Sequence, residues 1–138
     1  MFVHETEVRV RYAETDQMGY VYYGNYLTYY EIGRVEAFRS LGLSYRELEE
    51  RGIMMPVLEA RSRYLKPARY DRLIRIRTSI KEMPGVRIRF HYDLYDEETL
   101  IHEGETELVF VNNNAGGRPC RIPEEMETAL APHFSDER

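Results

Sequence analysis

Apolar and polar residues alternate from His4 to Tyr12, with Val8, Val10 and Tyr12 on one side and Glu7, Arg9 and Arg11 on the other. A period of two marks a half-buried strand. Ala13 to Tyr23 breaks the alternation and reads as a loop. The period then lengthens. Tyr26, Tyr30, Gly33 and Ala37 fall at helical intervals on one face, with Leu27, Phe38 and Leu41 beside them, and Gly42 stands where a C-terminal cap is wanted. Ser44 with Glu47 three residues on is the pattern of a capping box, predicting a short second helix that Gly52 ends before Pro56. Alternation returns in four runs, Val57 to Leu65, Leu73 to Ile80, Val86 to Tyr95 and Leu100 to Val111, separated by turn-rich pieces such as Met83-Pro84-Gly85 and Asp96-Glu97-Glu98.

Only the first helix is long enough to cover such a set of strands. The economical architecture is α+β, a single, mainly antiparallel sheet curled around one long central helix. Gly33 in the helix interior fits close packing against that sheet; otherwise it is a tolerated helix glycine costing about 1 kcal/mol. No repeat, low-complexity tract or linker divides the chain, so residues 1–138 are expected to form one domain.

Composition narrows the possibilities. With 138 residues, 43% of them hydrophobic, the chain can build a core without a staple, and its one cysteine, Cys120, has no internal partner for a disulfide. Met1 to Thr15 alternates charge with apolar residues, and no run approaches about 18 apolar residues, so neither a signal peptide nor membrane insertion is expected. The expected location is cytoplasmic. Charge is uneven: Arg61 to Arg89 holds ten basic residues against Asp71 and Glu82, a local +8 in a chain of net charge -5. That balance speaks against a general nucleic-acid coat. It leaves either one local surface for a polyanion or the solvent faces of strands.

Candidate chemistry emerges by elimination. No Gly-x-Ser-x-Gly elbow occurs. His4, His91, His102 and His133 have no helical ligand spacing, and no metal site is expected. Asn112 to Gly117 is glycine-rich but lacks the lysine and hydroxyl residue of a phosphate loop, and reads as a surface turn. The remaining constellation is Thr15-Asp16-Gln17-Met18-Gly19-Tyr20-Val21-Tyr22-Tyr23-Gly24-Asn25-Tyr26, just before the central helix. It sets a carboxylate near a helix start whose first N–H groups lack internal partners. Such donors can polarise an acyl carbonyl and hold its oxyanion while the carboxylate activates water or attacks directly. By its residues alone, a loop aspartate before a helix is more often a turn-former or cap.

This loop resembles the signature of the 4-hydroxybenzoyl-CoA thioesterase family of hotdog-fold enzymes. The likeness lies in Arg9-Val10, four intervening residues, Thr15-Asp16, two residues, Gly19, one residue and Val21, with Tyr26 beyond, and it extends to about Pro123. Within the family the chain most resembles the acyl-CoA thioesterase branch associated with the Tol-Pal operon, through Tyr64-Leu65-Lys66-Pro67-Ala68-Arg69-Tyr70-Asp71 and Glu103-Gly104-Glu105. The resemblance implies a hotdog fold and hydrolysis of an acyl-CoA without metal or redox cofactor, CoA being part of the substrate. It places the catalytic carboxylate on Asp16 and the carbonyl-polarising backbone N–H on Tyr23. Gly19, Gly24 and Tyr26 then belong to the substrate site, and Lys66, Arg69, Arg87 and Arg89 are candidates to meet the CoA phosphates. Tyr20 stands where the signature usually has isoleucine or valine, and Tyr23 where histidine or phenylalanine is usual, changes that could reshape the acyl pocket. Family members form homodimers with joined sheets and interfacial active sites, often paired into tetramers. The alternatives are hydrolysis of acyl-carrier-protein thioesters and a non-catalytic hotdog module that binds CoA or a protein.

Overall fold

The computed structural model describes residues 1–135. Strand β1 (Phe2–Arg9) leads through a 3-10 turn at Tyr12–Glu14 and a loop to a second 3-10 turn, Tyr23–Asn25, which runs directly into helix α1 (Tyr26–Ser40). Helix α2 (Tyr45–Glu50) and the short β2 (Ile53–Met54) follow. The alternating runs become β3 (Val57–Tyr64), β4 (Leu73–Ile80), β5 (Arg87–Asp96) and β6 (Thr99–Val109). Two short strands, β7 (Val111–Asn112) and β8 (Arg118–Pro119), and helix α3 (Glu124–Leu130) come last.

Five strands form an antiparallel sheet in the order β1-β4-β5-β6-β3, and β2-β7-β8 make a small second sheet. The register puts Ile74, Ile76 and Ile80 of β4 and Ile88, Phe90, Tyr92 and Leu94 of β5 on the buried face, each about 0–1% exposed. Helix α1 lies there, burying Tyr29, Tyr30, Gly33, Ala37 and Phe38. Each large apolar side chain so covered stabilises the fold by about 1.5–3 kcal/mol. Gly33 is a close-approach glycine: a Cβ there would overlap Thr78 Oγ1 and come within 2.9 Å of Ile76 Cγ2. This is the α+β arrangement expected, one antiparallel sheet around one long helix.

The local departures have physical reasons. β1 begins at Phe2 and ends at Arg9, and after Val10 bonds Arg72 O and Asp71 N, both at 2.9 Å, the chain leaves the sheet. Tyr12, expected on the buried side with Val8 and Val10, therefore lies in a 3-10 turn and is 77% exposed. Leu27, expected beside the buried helix face, is exposed, and Tyr29 is buried instead. Two-residue strands such as β2, β7 and β8 are too short to show alternation. Helix α3 did carry a signal, with acids in its first turn after Pro123 and buried Met126 and Leu130 four apart. Gly42, at φ +78, supplies the left-handed backbone after α1, and Ser44 Oγ accepts from Glu47 N at 3.3 Å. No helix among the described residues is long and apolar enough to cross a membrane.

Candidate active site

The loop after β1 is shaped largely by Asp16. Its side-chain Oδ1 accepts hydrogen bonds from Met18 N at 2.9 Å and Tyr20 N at 3.3 Å. Its own N–H donates to Tyr20 O at 2.8 Å, and Gly19 N–H donates to Asp16 O at 3.0 Å. That tight reversal needs the left-handed backbone of Gly19, φ +77. Asp16 is thus a turn-former through Oδ1, while Oδ2 accepts no hydrogen bond among the described residues. The carboxylate is half-buried.

The same loop delivers the chain to the helix. Val21 N–H donates to Ala68 O at 2.8 Å, Tyr70 N–H to Gly19 O at 3.1 Å, and Tyr20 bridges Arg69, which seats the loop on the segment after β3. Tyr23 and Gly24 open the 3-10 turn that continues into α1. Their N–H groups precede any carbonyl they could bond within the helix, and neither finds another acceptor among the described residues. The Tyr23 ring is 65% exposed beside Tyr22, so its contribution to the loop interior is its backbone.

A cavity of about 290 Å³ opens here, with Asp16, Tyr23, Tyr26 and Lys66 in its lining and Val21, Tyr64 and Leu65 supplying apolar wall. Behind Tyr26 stands His102, stacked at 4.0 Å between ring centroids, with Tyr64 edge-on at 5.0 Å. Tyr30 Oη lies 2.5 Å from His102 Nε2 and 2.7 Å from Ser62 Oγ. Burial pushes the His102 pKa down to about 4 and that of Tyr30 up to about 12, so at neutral pH both are uncharged. Asp16, at the helix start, is the one carboxylate in the cavity lining, and the His102–Tyr30 pair packed behind Tyr26 is neutral. Among the described residues no three His, Cys, Asp or Glu side chains come together as a metal-ligating group.

The site residues expected from the sequence divide into two sets. Asp16, Tyr23, Tyr26 and Lys66 share the cavity, Gly19 and Gly24 shape its backbone, and the Arg69 guanidinium sits 4.8 Å over the Tyr20 ring at its rim. Arg87 and Arg89 do not line it. They lie on β5, where Arg87 pairs with Glu107 at 2.8 Å and Arg89 pairs with both Glu105 and Glu107. Much of the remaining basic segment is partnered too: Arg75 with Glu5, Arg63 with Glu103 and Arg72 with Asp96. For these residues the solvent-face alternative describes what the strands do. Glu14 and Tyr29, joined at 2.8 Å beneath the loop, were not foreseen, because a phenol on a helix meets its partner only once the loop is folded over it.

The pattern of the thioesterase-like superfamily matches residues 10–130. The chain belongs to the thioesterase-like superfamily. This thioesterase is 34% identical over 106 residues, 76% of the chain and 79% of the relative, to the acyl-CoA thioester hydrolase YbgC of Escherichia coli. It is 28% identical over 124 residues, 89% of the chain and 90% of the relative, to the acyl-CoA thioesterase YbgC of Haemophilus influenzae. The solved DHNA-CoA thioesterase of Staphylococcus aureus superposes with a TM-score of 0.91 at 29% identity, covering 99% of this chain and 95% of that one. The hotdog fold expected from the signature is thereby established for the sheet and helix described above.

Proposed function

We propose that this thioesterase hydrolyses an acyl-CoA to a free carboxylic acid and CoA in the cavity at the start of α1. The observation that carries the proposal is the juxtaposition, in one cavity, of the Asp16 carboxylate with an unengaged oxygen and of Tyr23, whose helix-start N–H has no acceptor. The Tyr23 N–H polarises the thioester carbonyl, with Gly24 beside it. Asp16 either takes a proton from the attacking water or attacks the carbonyl itself. In the water route a C–O bond forms as Asp16 accepts the proton, the carbonyl oxygen becomes an oxyanion held by the N–H donors, and the C–S bond breaks as the carbonyl re-forms. The CoA thiolate leaves and is protonated. No metal or redox cofactor enters this proposal.

Lys66 and Arg69 stand at the cavity rim, where the nucleotide phosphates of a bound CoA can reach them. Arg87 and Arg89, assigned the same role from the sequence, would have to exchange Glu107 and Glu105 for phosphate. A homodimer is supported by β3, an edge strand of the sheet that leaves Val57, Leu58 and Tyr64 exposed, Tyr64 in the cavity lining. The proposed setting is the cytoplasm.

The test is a thiol-release screen across short, long, branched and aromatic acyl-CoAs, with acyl-carrier-protein thioesters alongside. Robust turnover of at least one acyl-CoA is expected. Turnover confined to the carrier-protein thioesters would reassign the substrate, and CoA binding without turnover would make the chain a binding module.

A further inference from the structure

Glu14 lies two residues before Asp16, outside the cavity lining, yet it is the point where the elements of the site meet. Its backbone carbonyl accepts from Tyr22 N at 2.9 Å and from Asn25 Nδ2 at 2.8 Å. Its carboxylate oxygen Oε1 accepts from Arg11 N at 2.9 Å and from Tyr29 Oη at 2.8 Å. Arg11 belongs to the chain leaving β1, Tyr22 and Asn25 flank the Tyr23–Gly24 donors, and Tyr29 lies in the first turn of α1. Tyr29 is 0% exposed, and burial together with the adjoining carboxylate raises its pKa, so the phenol stays protonated and donates. A hydrogen bond from a buried phenol to a carboxylate is charge-assisted and stronger than one between neutral groups.

We propose that Glu14 is a positioning residue, fixing the loop that carries Asp16 to the helix start that carries the Tyr23 and Gly24 N–H groups and so setting the gap between them. The proposal rests on the thioesterase chemistry above. The carboxylate and the donors come from opposite ends of the loop, and a misplacement of about 1 Å in such a pair costs on the order of 10² in rate. Within the loop, the Thr15–Val21 bridge closes the chain on itself; Glu14 ties it to the helix.

The experiment compares Glu14→Ala, Glu14→Gln and Tyr29→Phe in the full chain, on the acyl-CoA the unaltered protein turns over fastest. Glu14→Ala should lower kcat by about 10- to 100-fold with KM within about threefold. Glutamine keeps an oxygen that accepts from both Arg11 N and Tyr29 Oη, so Glu14→Gln should restore kcat to within about threefold of the unaltered protein. Tyr29→Phe, which removes one donor, should fall between them. In an Asp16→Asn background the Glu14→Ala loss should largely vanish, since the group being positioned is gone. An unchanged kcat in folded Glu14→Ala overturns the proposal, as does a glutamine variant as slow as alanine. If Glu14→Ala does not fold, Tyr29→Phe decides, and full activity there overturns it. Turnover by the unaltered protein with equal turnover by the variants removes Glu14 alone; no turnover by the unaltered protein removes the thioesterase proposal as well.

Discussion

The Asp16 cavity and the charged outer face of the sheet hold most of the polar groups that could do chemistry, and they differ in whether those groups are already occupied. On the sheet face, cross-strand register sets guanidinium against carboxylate: Arg87 and Arg89 against Glu107 and Glu105, Arg75 against Glu5. Arg89 holds the Glu105 carboxyl below its ordinary pKa, and Arg87 does the same for Glu107. Exposed pairs of this kind contribute little to stability, and they satisfy one another. At the cavity, Asp16 Oδ2 and the N–H groups of Tyr23 and of Gly24 next to it have no protein partner among the described residues, against a largely apolar wall. Asp16 is half-buried and Tyr23 and Gly24 are exposed, so water meets these groups until a bound ligand supplies fixed partners in its place. A run of charge along the chain therefore locates a surface, and an unsatisfied set of donors and acceptors locates a site.

The sharpest way to break this comparison is Asp16→Asn. Asparagine Oδ1 can still accept from Met18 N and Tyr20 N, so the turn survives while the anionic oxygen is lost. Steady-state kinetics should show kcat lower by about 10² to 10⁴, and more if Asp16 is the nucleophile, with an unchanged Tm. Unchanged kcat would leave Asp16 a turn residue only. Next in size is the backbone donor. Tyr23→Pro deletes an N–H that bonds nothing in the fold, and Tyr22 at ψ 133 already has the extended backbone that a following proline requires. The expected loss is about 10² to 10³ in kcat, against no more than a few fold for Tyr23→Phe. If phenylalanine is as damaging as proline, the phenol is the reacting group.

The neutral His102 behind Tyr26 and the ion-paired face should also part in acid. His102 titrates near 4 in the folded chain and near 6.5 unfolded, so below about pH 6.5 the unfolded state binds its proton first. Its contribution is complete above that pH, is lost as pH falls toward 4, and amounts to about 3 kcal/mol at most. The paired Glu105 and Glu107, with lowered pKa values, lose theirs only at lower pH, below the ordinary carboxylate range. Urea midpoints of the unaltered chain and of His102→Phe, which cannot titrate, should converge between pH 7 and 4.5; parallel curves would contradict the buried neutral assignment.

The smallest expected effect separates the two sets of basic residues. Removing the charge at Lys66 or Arg69 should raise KM for an acyl-CoA by about 3- to 10-fold with kcat little changed, and added salt should mimic it. Removing it at Arg87 or Arg89 should move KM less than twofold, because each already has a carboxylate partner. A larger rise at Arg89 than at Arg69 would transfer the phosphate contact to the sheet face.

How far the sequence exposes this molecule follows from where each interaction is local. The five long strands and α1 are legible because alternation and helical spacing are properties of neighbouring residues. Tyr12 is not, since the end of β1 is set by β4 beginning at Leu73, sixty residues away in the chain. Asp16, Gly19 and the helix start are legible because turn and cap chemistry is local. The pairing of Arg89 with Glu105 and the tie from Tyr29 to Glu14 are long-range, and each residue alone looks like an ordinary surface or helix side chain. Two-residue strands carry too little pattern to be seen, whereas α3, which the sequence reading missed, did carry a local signal in Pro123 and its leading acids.

The most direct measurement is a structure of the Asp16→Asn variant with an intact acyl-CoA bound. The expected result has the thioester carbonyl oxygen about 3 Å from Tyr23 N, the residue 16 side chain facing the carbonyl carbon, and the phosphates beside Lys66 and Arg69. A thioester bound away from the helix start, or a CoA lying along Arg87 and Arg89 on the sheet face, would contradict the assignment of the cavity as the site of hydrolysis.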